Sequence, residues 1–331
     1  PRWCSTSRSE PRARPDNESR SQCPANQGGP RAQHGRRRAL LRLRPWPNSG
    51  GFLRHQIRRA FQAGVGHRRE RTTAVGDATA PMPKPTTNMS KSSFLDMVKK
   101  AKNYIRAGDI FQIVLSQRFS IPFHLPAINL YRSLRRLNPS PFLFYFDFDK
   151  IEIVGSSPEI LVRLRDQTVT IRPVAGTRKR GTTPDEDAAN AADLMADVKE
   201  RAEHLMLLDL GRNDVGRVSR PGTVRVKSNY EVEYYSHVMH IASQVEGNIR
   251  DNLDAIDALV AGFPAGTVSG APKIRAMELI DDLEPDRRGV YAGAVGYMSV
   301  AGDLDTCIAL RTAIVKDQTM LVQAGAGIVY D

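Results

Sequence analysis

One charged and apolar stretch, at residues 199–214, reads KERAEHLMLLDLGRND and has the spacing of a helix that runs into a polar turn at residues 211–214. At about 100° per residue, Glu200 and Glu203 project from one side, together with His204. Two carboxylates one helical turn apart suit Mg²⁺, which usually takes one or two protein carboxylates and completes its shell with water and substrate oxygens. Glu pairs at this spacing are also common on exposed helices, so the stretch alone leaves a metal site and a solvated acidic face open.

The charge of the chain is concentrated at one end. Residues 1–80 hold 17 Arg, no Lys and 5 acidic residues, which accounts for the whole net charge of +12, because residues 81–331 hold 31 basic and 31 acidic residues. The main body is therefore neutral, and neither nucleic acid nor a membrane is expected as its partner. It contains a single cysteine, Cys307, and no apolar run long enough to span a bilayer, so a reducing, cytoplasmic setting is expected.

Residues 1–85 show no sustained helical or strand period, and we predict that they form a disordered, Arg-rich segment. Three explanations are open: a targeting peptide, a nucleic-acid-binding arm, and sequence foreign to the fold behind it. The absence of Lys beside 17 Arg favours the third explanation. Residues 86–331 are predicted to form the folded domain.

The body alternates between helical and strand patterns, with short turns between the strands that argue for antiparallel sheet. Helices are predicted at residues 93–105, 127–137, 183–210, 252–261 and 273–282. Strands are predicted at residues 109–119, 142–148, 151–154, 160–165, 168–173, 223–226, 238–246, 291–299, 305–315 and 320–323. From the residues alone, this pattern establishes only a mixture of strands and helices.

Three loops rich in small residues could bring backbone close to a ligand. Residues 172–178 contain Gly176, which suits either a ligand contact or an ordinary turn at a strand end. Residues 263–273 open a helix whose N-terminus favours a carboxylate or phosphate. Residues 325–327 read Gly-Ala-Gly. His237 and His240 lie at the start of the strand predicted at 238–246. Either could be a catalyst, but a histidine in a strand is more often a core or surface residue.

Several motifs occur together and in order along the body. They are GDIFQ at 108–112, NPSP at 138–141, RPVAGT at 172–177, EHLML at 203–207, RND at 212–214, GTVSGAPK at 266–273, DTCI at 305–308 and GAG at 325–327. Together they resemble the chorismate-utilising enzymes, and most closely the family of anthranilate synthase large subunits. The resemblance implies an α+β fold in which antiparallel β-sheets pack face to face with helices outside.

The same resemblance implies a Mg²⁺-dependent lyase of tryptophan biosynthesis. Ammonia adds to the ring of chorismate, the ring hydroxyl leaves, and pyruvate is eliminated to give anthranilate. Glutamine would supply the ammonia through a glutamine amidotransferase partner subunit. Two weaker alternatives are an aminodeoxychorismate synthase component I, and an inactive fragment or basic-arm nucleic-acid binder.

The resemblance also assigns roles to residues. Glu200 and Glu203 are expected to hold Mg²⁺, and His240 to assist proton transfer at the departing hydroxyl. The expected catalytic set is His240, Thr267 and Gln112. The expected substrate-binding set is Thr177, Gly266, Thr267, Tyr297, Arg311, Gly325, Ala326 and Gly327.

Two positions separate this chain from other members of the family. Members that add water to chorismate carry a Lys base where this chain has Gln112. Aminodeoxychorismate synthases carry a nucleophilic Lys where this chain has Ala175, and a methyl group cannot attack the ring. Free ammonia is therefore the expected nucleophile.

Two further expectations concern segments that the family has and this sequence does not show. A tryptophan effector site is expected around Asn138, Pro139, Ser140, Pro141, Phe142, Leu143 and Cys307, but the N-terminal part of that site is replaced by the basic segment, so regulation stays open. The family also continues past the position of Asp331 with two glutamates and a lysine that complete the site. The chain as given is thus expected to hold half of a metal site.

Overall fold

The computed structural model describes residues 84–235 and 238–330. Almost all of the predicted Arg-rich segment, with Cys4 and Cys23, lies outside the described residues, as does His237. No helix in the described part of the chain is long and apolar enough to cross a bilayer.

The described strands all pair in antiparallel fashion. In chain order they are β1 (Thr86–Thr87), β2 (Gln112–Pro122), β3 (Phe142–Asp147), β4 (Glu152–Ser157), β5 (Ile160–Arg165), β6 (Thr168–Ile171), β7 (Val174–Lys179), β8 (Arg225–Tyr234), β9 (Val238–Asn248), β10 (Gly270–Ala271), β11 (Ala294–Met298), β12 (Leu304–Ile308), β13 (Thr312–Lys316) and β14 (Thr319–Ile328). They form two seven-stranded sheets. The predicted α+β class with antiparallel sheets is confirmed.

Each sheet is built from strands that are distant in sequence. The first has the order β1-β2-β14-β13-β4-β3, with β10 also paired to β2. The second has the order β11-β12-β5-β6-β9-β7, with β8 also paired to β9. The longest register joins β14 to β2, from Thr319 opposite Pro122 to Ile328 opposite Ile113, and it brings residues 325–327 beside the start of β2.

The helices of the described region are α1 (Lys91–Ala107), α2 (Ala127–Leu137), α3 (Pro184–Ala196), α4 (Val198–Gly216), α5 (Ala255–Gly262) and α6 (Lys273–Leu283). A single 3-10 turn lies at Gly266–Val268. Helix α1 begins at the cap Ser90, whose hydroxyl accepts from the Ser93 amide, and ends at Gly108 with φ of 83°. The predicted stop at Gly108 is confirmed, because glycine adopts this left-handed conformation without strain.

The long helix predicted at residues 183–210 is wrong, since it is two helices divided at Asp197. The Asp197 carboxylate accepts from the amides of Lys199 and Glu200, at 2.9 and 3.1 Å, and so caps α4. The predicted turn at 211–214 is also wrong, because α4 continues to Gly216. Gly211 serves packing there, since a Cβ at this position would lie 3.3 Å from Pro173.

At three predicted loops or strands the structure differs from the prediction, and all three carry predicted site residues. Residues 172–178 form most of β7, with a bulge at Gly176, where φ is 77°. The glycines at 325–327 lie inside β14. The strand predicted at 305–315 is two strands, β12 and β13, separated by a kink in which Arg311 has φ of 49°. At this kink the chain passes from the second sheet, which contains β12, to the first sheet, which contains β13.

Helix α4 buries a histidine and leaves two of its apolar side chains exposed to solvent. His204 and Leu207 are buried, whereas Val198 and Leu205 are 81% and 49% exposed. Helix α4 packs against β7 and β9, and both of its paired carboxylates are partly buried, Glu200 beside Gly176 of β7 and Glu203 in a separate groove. An acidic face turned toward solvent does not describe this helix.

Candidate active site

Five residues expected from sequence to act in catalysis or recognition meet at one cavity of about 480 Å³, together with Ala175, the position that separates this chain from relatives with a nucleophilic Lys. The five are Thr177, His240, Thr267, Arg311 and Gly325. Two residues that sequence reasoning did not select, Glu159 and Tyr291, line the same cavity. The cavity thus combines a carboxyl group, an imidazole, a guanidinium, a phenol and a hydroxyl group.

Glu159 follows β4 and is 8% exposed. Burial raises the pKa of its carboxyl group to about 7, although a hydrogen bond from Thr267 and the charge of Arg311 both lower it. Thr267 Oγ1 donates to Glu159 Oε1 at 2.7 Å, and the two residues are 108 positions apart. Near neutral pH the carboxyl group therefore holds its proton for much of the time, as a general acid must.

The sequence pattern predicts no role for Glu159, which lies in the loop between the strands predicted at 151–154 and 160–165. One signal could have found it: the glutamate sits in the sequence Ser-Ser-Pro-Glu between two apolar strands, where a charged side chain is out of place.

His240 lies on β9 with a fixed tautomer. Its Nδ1 lies 2.9 Å from the carbonyl oxygen of Gly176 and 3.1 Å from Thr177 Oγ1. Because a carbonyl only accepts, the proton of the neutral ring lies on Nδ1, and Nε2 is the basic nitrogen. Burial lowers the pKa of His240, the Gly176 contact raises it, and Arg311 lowers it. At neutral pH the ring is therefore a base.

Arg311 and Tyr291 provide the groups that could recognise an acid. Arg311 Nη1 lies 3.5 Å from Asn138 Oδ1, which joins the predicted effector region to the cavity wall. The Tyr291 hydroxyl lies against Gly325, where a Cβ would be only 2.5 Å from Oη. Glycine at 325 is thus required by the approach of this phenol.

The structure does not bring Tyr297 to the cavity. This tyrosine lies on β11, is 47% exposed, and has Arg165 as a hydrogen-bonding neighbour. Tyr291, six residues earlier, takes the place that the sequence analysis gave to Tyr297.

Four other predicted residues do not line the cavity: Gln112, Gly266, Ala326 and Gly327. Gln112 is 8% exposed, its Nε2 would be 2.9 Å from a Cβ at Gly327, and its Oε1 has no hydrogen-bond partner within the described region. Gly266 packs against α4, where a Cβ would meet Leu210 at 2.7 Å. Ala326 is exposed on β14 between its two glycines.

The carboxylates of α4 divide between two surroundings. Glu200 Oε1 lies 3.5 Å from Arg178 Nη1, and Glu200 Oε2 would be 3.3 Å from a Cβ at Gly176, so the glycine leaves space beside this carboxylate. Glu203 lines a separate, largely apolar surface groove. No group of three or more His, Cys, Asp or Glu residues within 84–235 and 238–330 could hold a metal ion. Two carboxylates are nevertheless a donor set that fits Mg²⁺.

The predicted effector residues surround the strand β4. Asn138 accepts through its carbonyl oxygen from Ser156 Oγ at 2.6 Å, and Phe142 and Leu143 open the neighbouring strand β3. Pro139, Ser140 and Pro141 form the connection before that strand. Cys307 is fully buried, and burial raises the pKa of its thiol to about 12, so it is a core residue without nucleophilic character.

The family of this chain follows from its sequence match. The chorismate binding enzyme family matches residues 32–331. The chain belongs to this family. The predicted resemblance is thereby confirmed.

Curated relatives in this family carry a specific name. Anthranilate synthase component 1 from Cereibacter sphaeroides is 62% identical over 245 residues, which cover 74% of this chain and 49% of the relative. The protein of the same name from Aquifex aeolicus is 58% identical over 245 residues, which cover 74% of this chain and 50% of the relative. The chain therefore spans about half the length of the curated relatives it matches.

Solved structures agree with the fold. Anthranilate synthase component I from Streptococcus pneumoniae has a TM-score of 0.73 and 46% identity, covering 84% of this chain and 61% of that chain. The menaquinone-specific isochorismate synthase from Escherichia coli has a TM-score of 0.70 and 26% identity, covering 76% of this chain and 58% of that chain.

Proposed function

We propose that this protein is the aminating subunit of anthranilate synthase, which converts chorismate and ammonia to anthranilate, pyruvate and water. The observation that carries the proposal is the meeting in one cavity of Arg311, a buried carboxyl group, Glu159, whose pKa burial raises, and an imidazole, His240, whose pKa burial lowers. Two titratable groups whose surroundings push their pKa values in opposite directions are typical of an acid–base pair.

Recognition of the substrate falls to the cationic side of the cavity. Chorismate is a dicarboxylate, and the planar guanidinium of Arg311 can bind one carboxylate through two parallel hydrogen bonds. The phenol of Tyr291 can donate a further hydrogen bond to the same group. Substrate held in this way is oriented with respect to Glu159 and His240, which removes much of the entropic cost of reaction.

The two proton transfers have distinct donors and acceptors. As the nitrogen of ammonia bonds to the ring, the ring C–O bond breaks, and Glu159 gives its proton to the departing hydroxyl, which leaves as water. Glu159 thus takes the role at the departing hydroxyl that the family resemblance gave to His240, and His240 Nε2 instead removes the hydrogen from the ring carbon that carries the new amine. That electron pair makes the ring aromatic as the enolpyruvyl C–O bond breaks, and the enolpyruvate takes up a proton to become pyruvate. The nitrogen, positively charged once it has bonded to the ring, releases one proton and His240 releases the proton that it took, which balances the proton taken up by the enolpyruvate and the proton that restores Glu159. The Thr267 hydroxyl holds the Glu159 carboxyl group for the first transfer.

Glu200 and Glu203 would hold Mg²⁺, which supplies positive charge that fixes and polarises the substrate carboxylate when it is bound. The two carboxylates sit on rigid helix, one turn apart. The support for this assignment is the chemistry of the pair and the space at Gly176.

The nucleophile and its source are inferred from two side chains. Ala175 lines the cavity and offers no amine, and Gln112 offers no general base. Ammonia from a glutamine amidotransferase subunit therefore fits this cavity better than water or an enzyme-borne amine. These two positions disfavour the isochorismate and aminodeoxychorismate reactions.

The test is a fluorescence assay for anthranilate with chorismate, Mg²⁺ and an ammonium salt, coupled to measurement of pyruvate. Equal amounts of the two products, and loss of both after chelation of Mg²⁺, are expected. Isochorismate or aminodeoxychorismate as the product would contradict the proposal.

A further inference from the structure

A partly buried arginine beside the cavity-lining Tyr291, Arg288, contacts several separate segments of the chain. Its side chain is 15% exposed. Nη1 donates to the carbonyl oxygen of Val268 at 2.6 Å, and Nη2 donates to the carbonyl oxygen of Val114 at 2.6 Å. Nε and Nη2 also donate to the two carboxylate oxygens of Glu284, at 2.9 and 2.6 Å, and the guanidinium lies 5.6 Å from the ring centroid of Tyr291.

The partners of Arg288 line the cavity or lie beside residues and strands that line it. Val268 directly follows Thr267, whose hydroxyl holds the Glu159 carboxyl group. Val114 belongs to β2 and lies opposite Gly327 on β14. The ring of Tyr291 itself lines the cavity.

Glu284 extends the same set of contacts to β14. Its side chain is 4% exposed, and Oε1 accepts from the amide and hydroxyl of Ser116, at 2.7 and 2.9 Å. The Ser116 hydroxyl in turn accepts from Gln323 Nε2 at 2.7 Å, and Gln323 lines the cavity. One guanidinium therefore contacts, directly or through Glu284, four segments that meet at the cavity.

The geometry demands arginine in particular. A planar guanidinium has five donors in a fixed fork, whereas the ammonium group of lysine is a point charge with three rotatable donors. Lysine at 288 would keep the charge but could not satisfy two carbonyl groups and a carboxylate in these directions at once.

We propose that Arg288 is a positioning residue for the acid–base pair. By holding the Val268 carbonyl group it fixes the Thr267 hydroxyl against Glu159, and its guanidinium, which lies over the Tyr291 ring, orients that ring. The proposal rests on the proposed function. It concerns the rate of the proton-transfer step more than the affinity for substrate, because Arg288 does not line the cavity.

The test compares R288K with R275K in the complete protein. Arg275 is a matched control, since it donates to Glu278 and Asp109 at 2.9 and 3.2 Å and lies 5.8 Å from the Tyr104 ring centroid, but is 41% exposed and distant from the cavity lining. R288K is expected to lower kcat for anthranilate formation by about 30-fold, because small misplacements of catalytic groups are costly. The KM for chorismate should change by less than about threefold, and R275K should stay within about twofold of wild type.

A double-mutant cycle separates positioning from a general effect on folding. In a T267V background, the Glu159 carboxyl group has already lost its hydrogen bond, so R288K should lower kcat by only about threefold. An equal fold-change in both backgrounds, or an R288K protein as active as R275K, would overturn the proposal.

Hydrogen exchange keeps the inference separate from the proposed function. If wild type forms no anthranilate from chorismate and ammonia, the proposed function fails by itself. The hold of Arg288 on the Val268 carbonyl group is then measured directly. Amides at residues 266–270 should exchange at least about tenfold faster in R288K than in wild type or R275K. Equal exchange in the three proteins would overturn the role given to Arg288.

Discussion

Two histidines of this protein, His204 on α4 and His240 on β9, share a lowered pKa but differ in everything around it. His204 is fully buried, its Nε2 lies 2.7 Å from Ser243 Oγ, and its ring meets Tyr230 edge-on at 4.7 Å. Burial lowers its pKa to about 4. His240, three residues before Ser243 on the same strand, lines the cavity.

The difference between the two rings shows what a perturbed pKa means. Removal from water lowers the pKa of either imidazole, so the shift alone does not mark a catalyst. A cavity with an acid of opposite tendency, and a fixed tautomer that leaves Nε2 basic, distinguish His240. His204 has core contacts in place of a cavity, and we regard it as a structural residue.

The largest expected difference comes from one substitution made at each histidine. H240Q should lower kcat/KM for chorismate by about 1000-fold, within the range of general acid–base catalysis, with little change in Tm. H204Q should lower the free energy of unfolding by about 2 kcal/mol, because a buried hydrogen-bonded group is disturbed. Steady-state kinetics and urea unfolding of the two variants measure both effects. If H204Q loses as much activity as H240Q at a temperature where both are folded, the distinction between a catalytic His240 and a structural His204 is contradicted.

The pH dependence of stability should isolate His204. The folded-state pKa of about 4 lies below the unfolded value of about 6.5, so the folded protein resists protonation, and stability is present above pH 6.5 and lost as pH falls toward 4. From pH 8 to pH 5 the loss from this group is about 2 kcal/mol. The difference in unfolding free energy between wild type and H204Q should shrink by that amount. The exposed His124, changed to Gln, serves as the control; an equal effect in H124Q would contradict this assignment.

The smallest expected effects concern two tyrosines, one at the cavity and one away from it. Y291F should lower kcat/KM by about tenfold, because a donor to the substrate is lost from the cavity. Y297F, on the exposed side of β11, should stay within about twofold of wild type. Chorismate titrations of both variants supply the measurement, and the reverse order would restore Tyr297 as the substrate-binding residue.

The sequence was sufficient for features that depend on local pattern. Helix α2 has the predicted bounds, since its apolar spacing and flanking prolines are local signals. The antiparallel sheets followed from short turns between strands. The division at Asp197 was missed because it depends on one carboxylate accepting two amides, and such capping competes with a continuous helix in any Asp-containing stretch.

The candidate site was harder to predict because its decisive contacts are distant in sequence. The Glu159 carboxyl group is held by a hydrogen bond from Thr267, 108 residues later, and Arg311 lies at a left-handed kink that no local pattern predicts. Tyr291 and Tyr297 occur in the same short segment, and only the start of β11 at Ala294 separates one from the other. The family resemblance named His240, Thr267 and Arg311 at the cavity but not the acid that completes it.

The most direct test of the acid–base pair is the pH profile of kcat/KM for chorismate, measured at a constant concentration of free ammonia in wild type and E159Q. Glu159 must be protonated and His240 must be neutral, so wild-type activity should fall as pH rises through about 7 and should also fall below the lowered pKa of His240. E159Q should be about 100-fold slower and should lose the alkaline limb while keeping the acidic one. An alkaline limb unchanged in E159Q, or wild-type activity that rises through pH 7 to 8, would contradict the assignment of Glu159 as the acid.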